Sequence, residues 1–171
     1  LAGFLPSLVE LAVRGPGQGL HTLYVSPLKA LAADIGRNLR GPAEEMGLGL
    51  DITERTGDTR QSERQRQRRT PPDILLTTPE SLALMLSWED APQLFAGLSR
   101  VVVDEVHALA GTKRGDQLAL CLARLAALGP GRRLTALSAT VDDPRAVADW
   151  LAPGRARIVF ADPGPPADIS I

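Results

Sequence analysis

Two adjacent carboxylates and a histidine directly follow a short, strongly apolar stretch of the chain. Residues 101–103 are three valines, and they run into Asp104, Glu105 and, two positions later, His107. Because successive side chains of a strand point to opposite faces, the two acids can have different tasks. Asp104 suits Mg²⁺, which takes oxygen ligands and bridges nucleotide phosphates, and Glu105 suits the water that attacks a phosphate. An acidic loop with His107 as a packing or capping residue would give the same pattern.

Small hydroxyl residues close the next apolar stretch. Ser138 and Thr140 follow residues 133–137. They could form hydrogen bonds with the turn that holds the two acids and report its state to a second lobe. The alternative is that they cap a helix starting at Pro144, since Ser and Thr favour such positions.

Two further segments run from an apolar stretch through a hydroxyl residue and a proline into a helical pattern. They are residues 26–31, Ser-Pro-Leu-Lys-Ala-Leu, and residues 77–81, Thr-Thr-Pro-Glu-Ser. A helix N-terminus presents free N–H groups and a positive dipole end, which favour phosphate. Two such ends on one side of a sheet would hold a nucleic-acid backbone without reading its sequence. Residues 56–59, Thr-Gly-Asp-Thr, form a third turn of this kind, although each is also typical of an ordinary strand-to-helix connection.

The elements that must position these residues alternate between strand and helix. Apolar runs such as residues 74–76 and 101–103 are typical of strands inside a parallel sheet that helices cover on both faces. The alternation predicts an α/β domain whose ligands gather at the carboxyl ends of the strands, where the polar segments above all fall. The predicted strands are residues 21–26, 50–55, 73–77, 100–104, 133–138 and 157–160. The predicted helices are residues 1–13, 28–46 (with Leu28, Leu31, Ile35 and Leu39 on one stripe), 61–69, 79–87, 116–128 and 144–151.

The composition describes an ordinary globular domain. The chain has 171 residues, of which 44% are hydrophobic and 23% charged, and its net charge of −1 excludes a uniformly basic nucleic-acid binder. The single cysteine, Cys121, excludes an internal disulfide and a cysteine-based metal site, and it favours a cytoplasmic location. No apolar run has the length of a membrane span.

A short polar stretch carries arginines at four-residue spacing. Arg60, Arg64 and Arg68 would share one helix face. They could line a phosphate backbone. A solvated helix face explains the pattern equally simply, and we favour that interpretation.

Taken in order, these segments resemble the motifs of superfamily 2 DExH-box helicases, and more closely those of the Lhr-like and bacterial ligase-associated DExH helicases. Residues 26–31 look like motif Ia, residues 77–81 like motif Ib, residues 104–107 like motif II and residues 138–140 like motif III. The Arg-Thr-Gly-Asp-Thr at residues 55–59 and the run at residues 107–115 are also similar to the Lhr group. The resemblance covers about residues 1–151 and keeps the family's order and separation.

The resemblance implies a fold, cofactors and roles for the matching residues. The fold would be a three-layer RecA-like domain of the P-loop NTPase type over residues 1–160, with residues 161–171 starting an interdomain linker. ATP and Mg²⁺ would be the cofactors, with Asp104 binding the metal and, together with Glu105, the nucleotide. Glu105 would be the catalytic base, acting with Asp104 and His107, while His107, Ser138 and Thr140 would couple hydrolysis to movement. The nucleic acid would run along Lys29, Thr56, Gly57, Thr78, Glu80 and Arg114.

The family's phosphate loop, G-x-x-x-x-G-K-[ST], does not occur in the sequence. The glycine-rich residues 15–19 lack the Lys-Ser/Thr pair and precede a predicted strand instead of following one. We expect the loop upstream of Leu1 and a second RecA-like lobe after Ile171, and we expect the chain alone not to hydrolyse ATP.

The resemblance also implies partners. They would be single-stranded or partly duplex DNA, or RNA, together with the second lobe and a ligase or nuclease repair complex, and no membrane. The alternative is a non-hydrolysing nucleic-acid-binding module. The Asp104–Glu105 pair argues against it, because a pure binder has no use for those acids.

Overall fold

The computed structural model describes residues 3–139 and 141–160 of the chain. Five strands of four residues form one sheet, in which every neighbouring pair is parallel and the order is β2-β3-β1-β4-β5. The strands are β1 (Thr22–Val25), β2 (Ile52–Arg55), β3 (Ile74–Thr77), β4 (Arg100–Val103) and β5 (Arg133–Ala136). The helices are α1 (Leu5–Arg14), α2 (Lys29–Glu45), α3 (Gln61–Arg69), α4 (Pro79–Leu86), α5 (Ala91–Leu94), α6 (Lys113–Leu128) and α7 (Pro144–Leu151), with a single 3₁₀ turn at Val106–Ala108.

Helices cover both faces of the sheet, as the apolar strands predict. Side chains of a strand alternate between faces, and Tyr24 and Val102 accordingly join a core with α1 and α2. Leu23, Val25 and Val103 point to the other face and pack with the helices that follow β3 and β4. The three-layer, mostly parallel architecture expected from the sequence is therefore confirmed.

The sixth predicted strand, at residues 157–160, is wrong. These residues lie after α7 outside any strand, and the side chains of Val159 and Phe160 are 77% and 75% exposed. β5 pairs only with β4 within the described part of the chain. The β-type composition of the segment therefore had no neighbouring strand to stabilise it.

The buried stripe of α2 shares only Leu39 with the predicted one. Leu28 is exposed, whereas Ala32, Gly36 and Leu39 face the sheet. The small residues let the helix approach closely, since a Cβ on Gly36 would come within 3.0 Å of Leu76 Cδ1. Leu28 is exposed because it precedes the helix as its N-cap, in an extended conformation with φ of −115° and ψ of 125°.

The opening helix α1 is joined to the sheet at two places. The Arg100 guanidinium of β4 donates to both carboxylate oxygens of Glu10, at 2.7 and 2.6 Å. Near the start of the helix, the ring of Phe4 packs 5.3 Å from that of Tyr24. None of the helices in the described residues is both long and apolar enough to cross a lipid bilayer.

Candidate functional site

The carboxyl ends of all five strands lie level at one edge of the sheet. Val25 is in register with Thr77 on one side and Val103 on the other, and the outer strands β2 and β5 continue the same register. The next residues of the chain therefore emerge side by side. Across the edge, in sheet order, they are Thr56, Thr78, Ser26, Asp104 and Leu137.

Asp104 has a hydrogen-bond donor for each carboxylate oxygen. Its Oδ1 accepts from the backbone N–H of Glu105 at 2.9 Å, and its Oδ2 accepts from the Tyr24 hydroxyl at 2.6 Å. Tyr24 is fully buried, and its burial and the hydrogen bond to Asp104 raise the pKa of its hydroxyl well above the ordinary value. Tyr24 therefore stays protonated and fixes the orientation of the acid.

Glu105 occupies a strained backbone position. Its φ of 52° and ψ of 41° are left-handed, and no other non-glycine residue of the described chain has a positive φ. Such a conformation costs about 1–3 kcal/mol, persists only where the surroundings enforce it and is typical of active sites. Here the next residue, Val106, is held by a hydrogen bond from its N–H to the Leu137 carbonyl at 3.1 Å.

A continuous set of polar contacts leads from Glu105 to the end of β5. Glu105 Oε2 lies 3.0 Å from His107 Nε2, and His107 Nδ1 lies 3.2 Å from Ser138 Oγ. Ser138 is not the cap of α7, because Asp143 accepts the N–H of Ala146 at 2.9 Å and fills that role. Thr140, the other expected coupling residue, lies outside the described residues.

The carboxylates at this edge suit a magnesium nucleotide. No group of three or more His, Cys, Asp or Glu side chains among the described residues could form an all-protein metal site. Mg²⁺ typically needs only one or two carboxylates and takes its other ligands from phosphates and water. The adjacent Asp104 and Glu105 fit that requirement.

The expected nucleic-acid residues lie on the other half of the same edge. The Lys29 ammonium, on the first residue of α2, contacts both carboxylate oxygens of Asp58 at 2.9 and 3.0 Å. A Cβ on the exposed Gly57 would lie 3.3 Å from Lys29 Nζ, so the two residues are neighbours. The loop is anchored from behind by Arg64, which donates to the carbonyls of Thr56 at 3.2 Å and Gly57 at 2.7 Å.

The arginine spacing on α3 therefore reflects structural contacts. Besides Arg64, Arg68 forms an ion pair with Asp90 and lies over the Trp88 ring at 4.8 Å. The favoured solvated-face interpretation is wrong for Arg64, which is half-buried behind the turn, whereas Arg60 and Arg68 are exposed as that interpretation expects. Trp88 is partly buried and packs against the core.

Glu80 and Arg114 contact each other instead of standing free. Arg114 Nε donates to Glu80 Oε1 at 2.6 Å, which holds the pKa of that carboxyl below its usual value. A second guanidinium nitrogen of Arg114 donates to the Pro27 carbonyl at 2.9 Å. One side chain at the start of α6 thereby joins the segment before α2 to the first turn of α4. Thr78 caps α4, accepting the N–H of Ser81 at 3.5 Å.

Sequence reasoning missed Tyr24 and Arg64 as positioning residues. Tyr24 is level with Val102, and Asp104 lies two positions beyond Val102, so all three share one face of the sheet. That relation becomes readable only once β1 and β4 are known to be neighbours. The position of Arg64 on the polar helix behind the Thr-Gly-Asp-Thr turn indicates such a role. The sequence does not give the direction of its side chain.

Comparisons with known proteins agree with this arrangement. The family model of the DEAD/DEAH box helicases matches residues 1–148. A Lhr helicase and probable uracil glycosylase of Mycolicibacterium smegmatis is 48% identical over 166 residues, covering 89% of this chain and 11% of that protein. The ATP-dependent helicase Lhr-Core of Methanocaldococcus jannaschii is 45% identical over 162 residues, covering 88% of this chain and 19% of that protein.

A solved structure supports the same assignment. Mycobacterium smegmatis helicase Lhr bound to ssDNA and AMP-PNP superposes with a TM-score of 0.78 at 46% identity, covering 87% of this chain and 20% of that one. The chain therefore spans only about a tenth to a fifth of the length of these relatives. Because the family model matches residues 1–148 of its 171, the chain belongs to the DEAD/DEAH box helicases and forms a RecA-like domain of the Lhr type.

Proposed function

We propose that this chain is the first RecA-like motor lobe of an ATP-dependent helicase that moves along nucleic acid. The observation that carries the proposal is the contact series Glu105–His107–Ser138 beside Asp104, at the sheet edge that also presents Lys29 and its neighbours. A motor needs an acid pair that faces the nucleotide and a cation that faces the nucleic-acid backbone on the same edge. ATP hydrolysis must alter the contacts that hold the nucleic-acid strand. A binding module would need only the second group.

The acid pair would divide the chemistry of hydrolysis. Asp104, held by Tyr24 and by the N–H of Glu105, would bind the Mg²⁺ of Mg-ATP. The metal ion neutralises phosphate charge and orients the triphosphate when it is bound. Glu105 would orient the attacking water and accept its proton at a carboxylate oxygen. The restricted backbone of Glu105 favours this role because it limits where the side chain can lie.

His107 would couple ATP hydrolysis to movement of the lobes. His107 touches Glu105 with one ring nitrogen and Ser138 with the other, so any change in the charge of Glu105 alters both contacts. Ser138 lies one residue beyond the carbonyl group of Leu137 that holds the turn. We propose that Ser138 and Thr140 transmit this change to a second RecA-like lobe, with residues 161–171 beginning the linker to it.

The nucleic-acid strand would lie against the half of the sheet edge formed by β1, β2 and β3. Lys29 would supply the charge, and Gly57 and the start of α4 after Thr78 would supply backbone N–H groups, none of which reads a base. Thr56 would shape the turn, since its own N–H donates to Thr59 Oγ1 at 2.9 Å. Glu80 and Arg114 belong to this interface as the pair that holds its two helix starts together. The Lhr structure that the chain resembles is bound to ssDNA, so we propose single-stranded or partly duplex DNA as the first substrate to test, with RNA as the second and a ligase or nuclease repair complex as the setting.

The deciding experiment measures ATP hydrolysis and duplex unwinding by the full-length protein with and without single-stranded DNA. Glu105→Gln should lower hydrolysis about 10²–10⁴-fold, because the general base is lost, while nucleotide binding is kept. Ser138→Ala should lower unwinding more than hydrolysis. A wild-type protein that binds DNA but shows no DNA-stimulated hydrolysis would instead support the non-hydrolysing binding module.

A further inference from the structure

The cation expected to meet the nucleic acid already has an acidic partner. Lys29 Nζ lies 2.9 and 3.0 Å from the two oxygens of Asp58, and both side chains are exposed, at 53% and 77%. The pair therefore occupies the surface where a phosphate would approach Lys29. An acid at such a place opposes phosphate binding through its own negative charge and through its hold on the ammonium.

The turn keeps Asp58 in position. Its N–H donates to Thr56 Oγ1 at 3.3 Å, and the N–H of Thr59 donates to the Thr56 carbonyl at 3.2 Å. Arg64 holds the carbonyls of Thr56 and Gly57 from the other side. Asp58 is thus part of a hydrogen-bonded turn, and its carboxylate is carried toward Lys29 by the same backbone that we propose as a phosphate contact.

We propose that Asp58 competes with nucleic-acid phosphate for Lys29 and so sets the affinity of this lobe for the strand; the inference rests on the proposed function. A phosphate that reaches Lys29 must displace the Asp58 carboxylate or share the ammonium with it. The competition lowers the affinity of the lobe for the nucleic acid. A lower affinity helps a motor that must release each phosphate before it binds the next.

Replacing Asp58 by Asn removes the charge and keeps the shape. Exposed ion pairs contribute little, so the expected gain in affinity for single-stranded DNA is about two- to fivefold. The salt dependence should also steepen. Freeing one cation for one more full phosphate contact adds up to about 0.7 to the slope of log affinity against log salt for a single strand.

The test is fluorescence anisotropy of the full-length protein with a labelled single-stranded oligonucleotide of mixed sequence, at several salt concentrations. Four forms are compared: wild type, Asp58→Asn, Lys29→Ala and the double variant. We expect Asp58→Asn to bind more tightly and Lys29→Ala to bind more weakly. In the double variant the gain should vanish, since the cation for which Asp58 competes is gone.

Asp90→Asn is the matched control. Asp90 is also a surface acid in an ion pair, with Arg68, and lies outside the proposed strand path. Equal tightening by Asp90→Asn would overturn the inference by showing a general charge effect. Unchanged or weaker binding by Asp58→Asn, with Lys29→Ala defective, would overturn it and leave the proposed function intact. Wild-type binding by Lys29→Ala would overturn both the competition and the proposed role of Lys29.

Discussion

The Asp104 carboxylate is oriented before any ligand reaches it. The buried Tyr24 hydroxyl, at 2.6 Å, is the shorter of its two contacts, and the length is typical of an O–H donor bound to a charged oxygen. Preorganisation of this kind matters because a hydrogen bond that already exists costs no reordering when the site is used. The contact should also stabilise the fold, since it joins β1 to the end of β4.

Tyr24→Phe tests this hydrogen bond. The ring and its packing against Phe4 remain, so only the donor is lost. We expect the free energy of unfolding to fall by about 1–2 kcal/mol, because Asp104 is charged but partly accessible to replacement water. Urea unfolding of the chain should show a lower midpoint with an unchanged slope. An unaltered midpoint would mean that water replaces the hydroxyl without loss.

At the residue scale, the sequence predicts which polar groups meet at the sheet edge better than how they are held. Asp104, Glu105, His107 and Ser138 were placed together from the order of apolar runs, because parallel strands share a carboxyl edge. The left-handed backbone of Glu105 was not predictable, since glutamate has no preference for it. Nor was the Arg114–Glu80 contact, which depends on how α4 and α6 pack.

The start of α6 packs directly against Leu109, in the segment that follows the acid-bearing turn. Thr112 caps it by accepting the Gly115 N–H at 3.1 Å. Sequence patterns place this start at residue 116, three positions late, because a glycine inside the first turn is unfavourable for a helix. Glycine fits here because neighbouring atoms leave no room for a side chain. A Cβ on Gly115 would lie 2.9 Å from the carbonyl carbon of Leu109 and 3.0 Å from Trp150 Cζ2.

Gly115→Ala should destabilise the domain by about 1–3 kcal/mol or more, because the backbone of Leu109 cannot easily move away. Gly41→Ala is its matched control within α2, where a Cβ would meet nothing within 4 Å. That variant should stay within about 1 kcal/mol of wild type, because the helix preference of alanine over glycine is offset by crowding of the new Cβ against the ring of Pro42, the next residue. Thermal unfolding of both variants decides the matter. Similar midpoints for the two would show that the close approach at Gly115 is relieved without cost.

Substitution of Arg114 tests whether its contacts hold the starts of α2 and α4 together. Arg114→Ala should weaken binding of single-stranded DNA by the full-length protein. Arg114→Lys keeps the charge but cannot reach Glu80 and the Pro27 carbonyl with one rigid fork, so we expect it to resemble the alanine variant. Anisotropy titration of both variants distinguishes the roles. Near wild-type affinity in the lysine variant would indicate a direct phosphate contact instead.

At the scale of the whole molecule, the layers were predictable and the order of the strands was not. Apolar strands alternating with helices require a covered parallel sheet. The order β2-β3-β1-β4-β5 depends on which loops cross the sheet, and no single segment encodes that. This order separates the edge into an acidic half near β4 and β5 and a half near β1, β2 and β3 that carries Lys29.

That separation predicts that the 171-residue chain does not hydrolyse Mg-ATP by itself. A triphosphate near Asp104 and Glu105 meets two negative charges, and neither acid forms an ion pair with a lysine or arginine among the described residues. The chain has two lysines. One of these, Lys29, lies on the other half of the edge in a pair with Asp58. Phosphoryl transfer depends on neutralising that charge with backbone N–H groups and a lysine.

Phosphate release should therefore be no faster from the chain than from its Glu105→Gln variant, with or without single-stranded DNA. A cooperative thermal unfolding transition serves as the control that the chain is folded during the assay. The full-length protein, assayed alongside, should hydrolyse ATP under the same conditions. Magnesium-dependent turnover by the chain, absent from the Glu105→Gln variant, would show that its own edge residues suffice to neutralise the triphosphate.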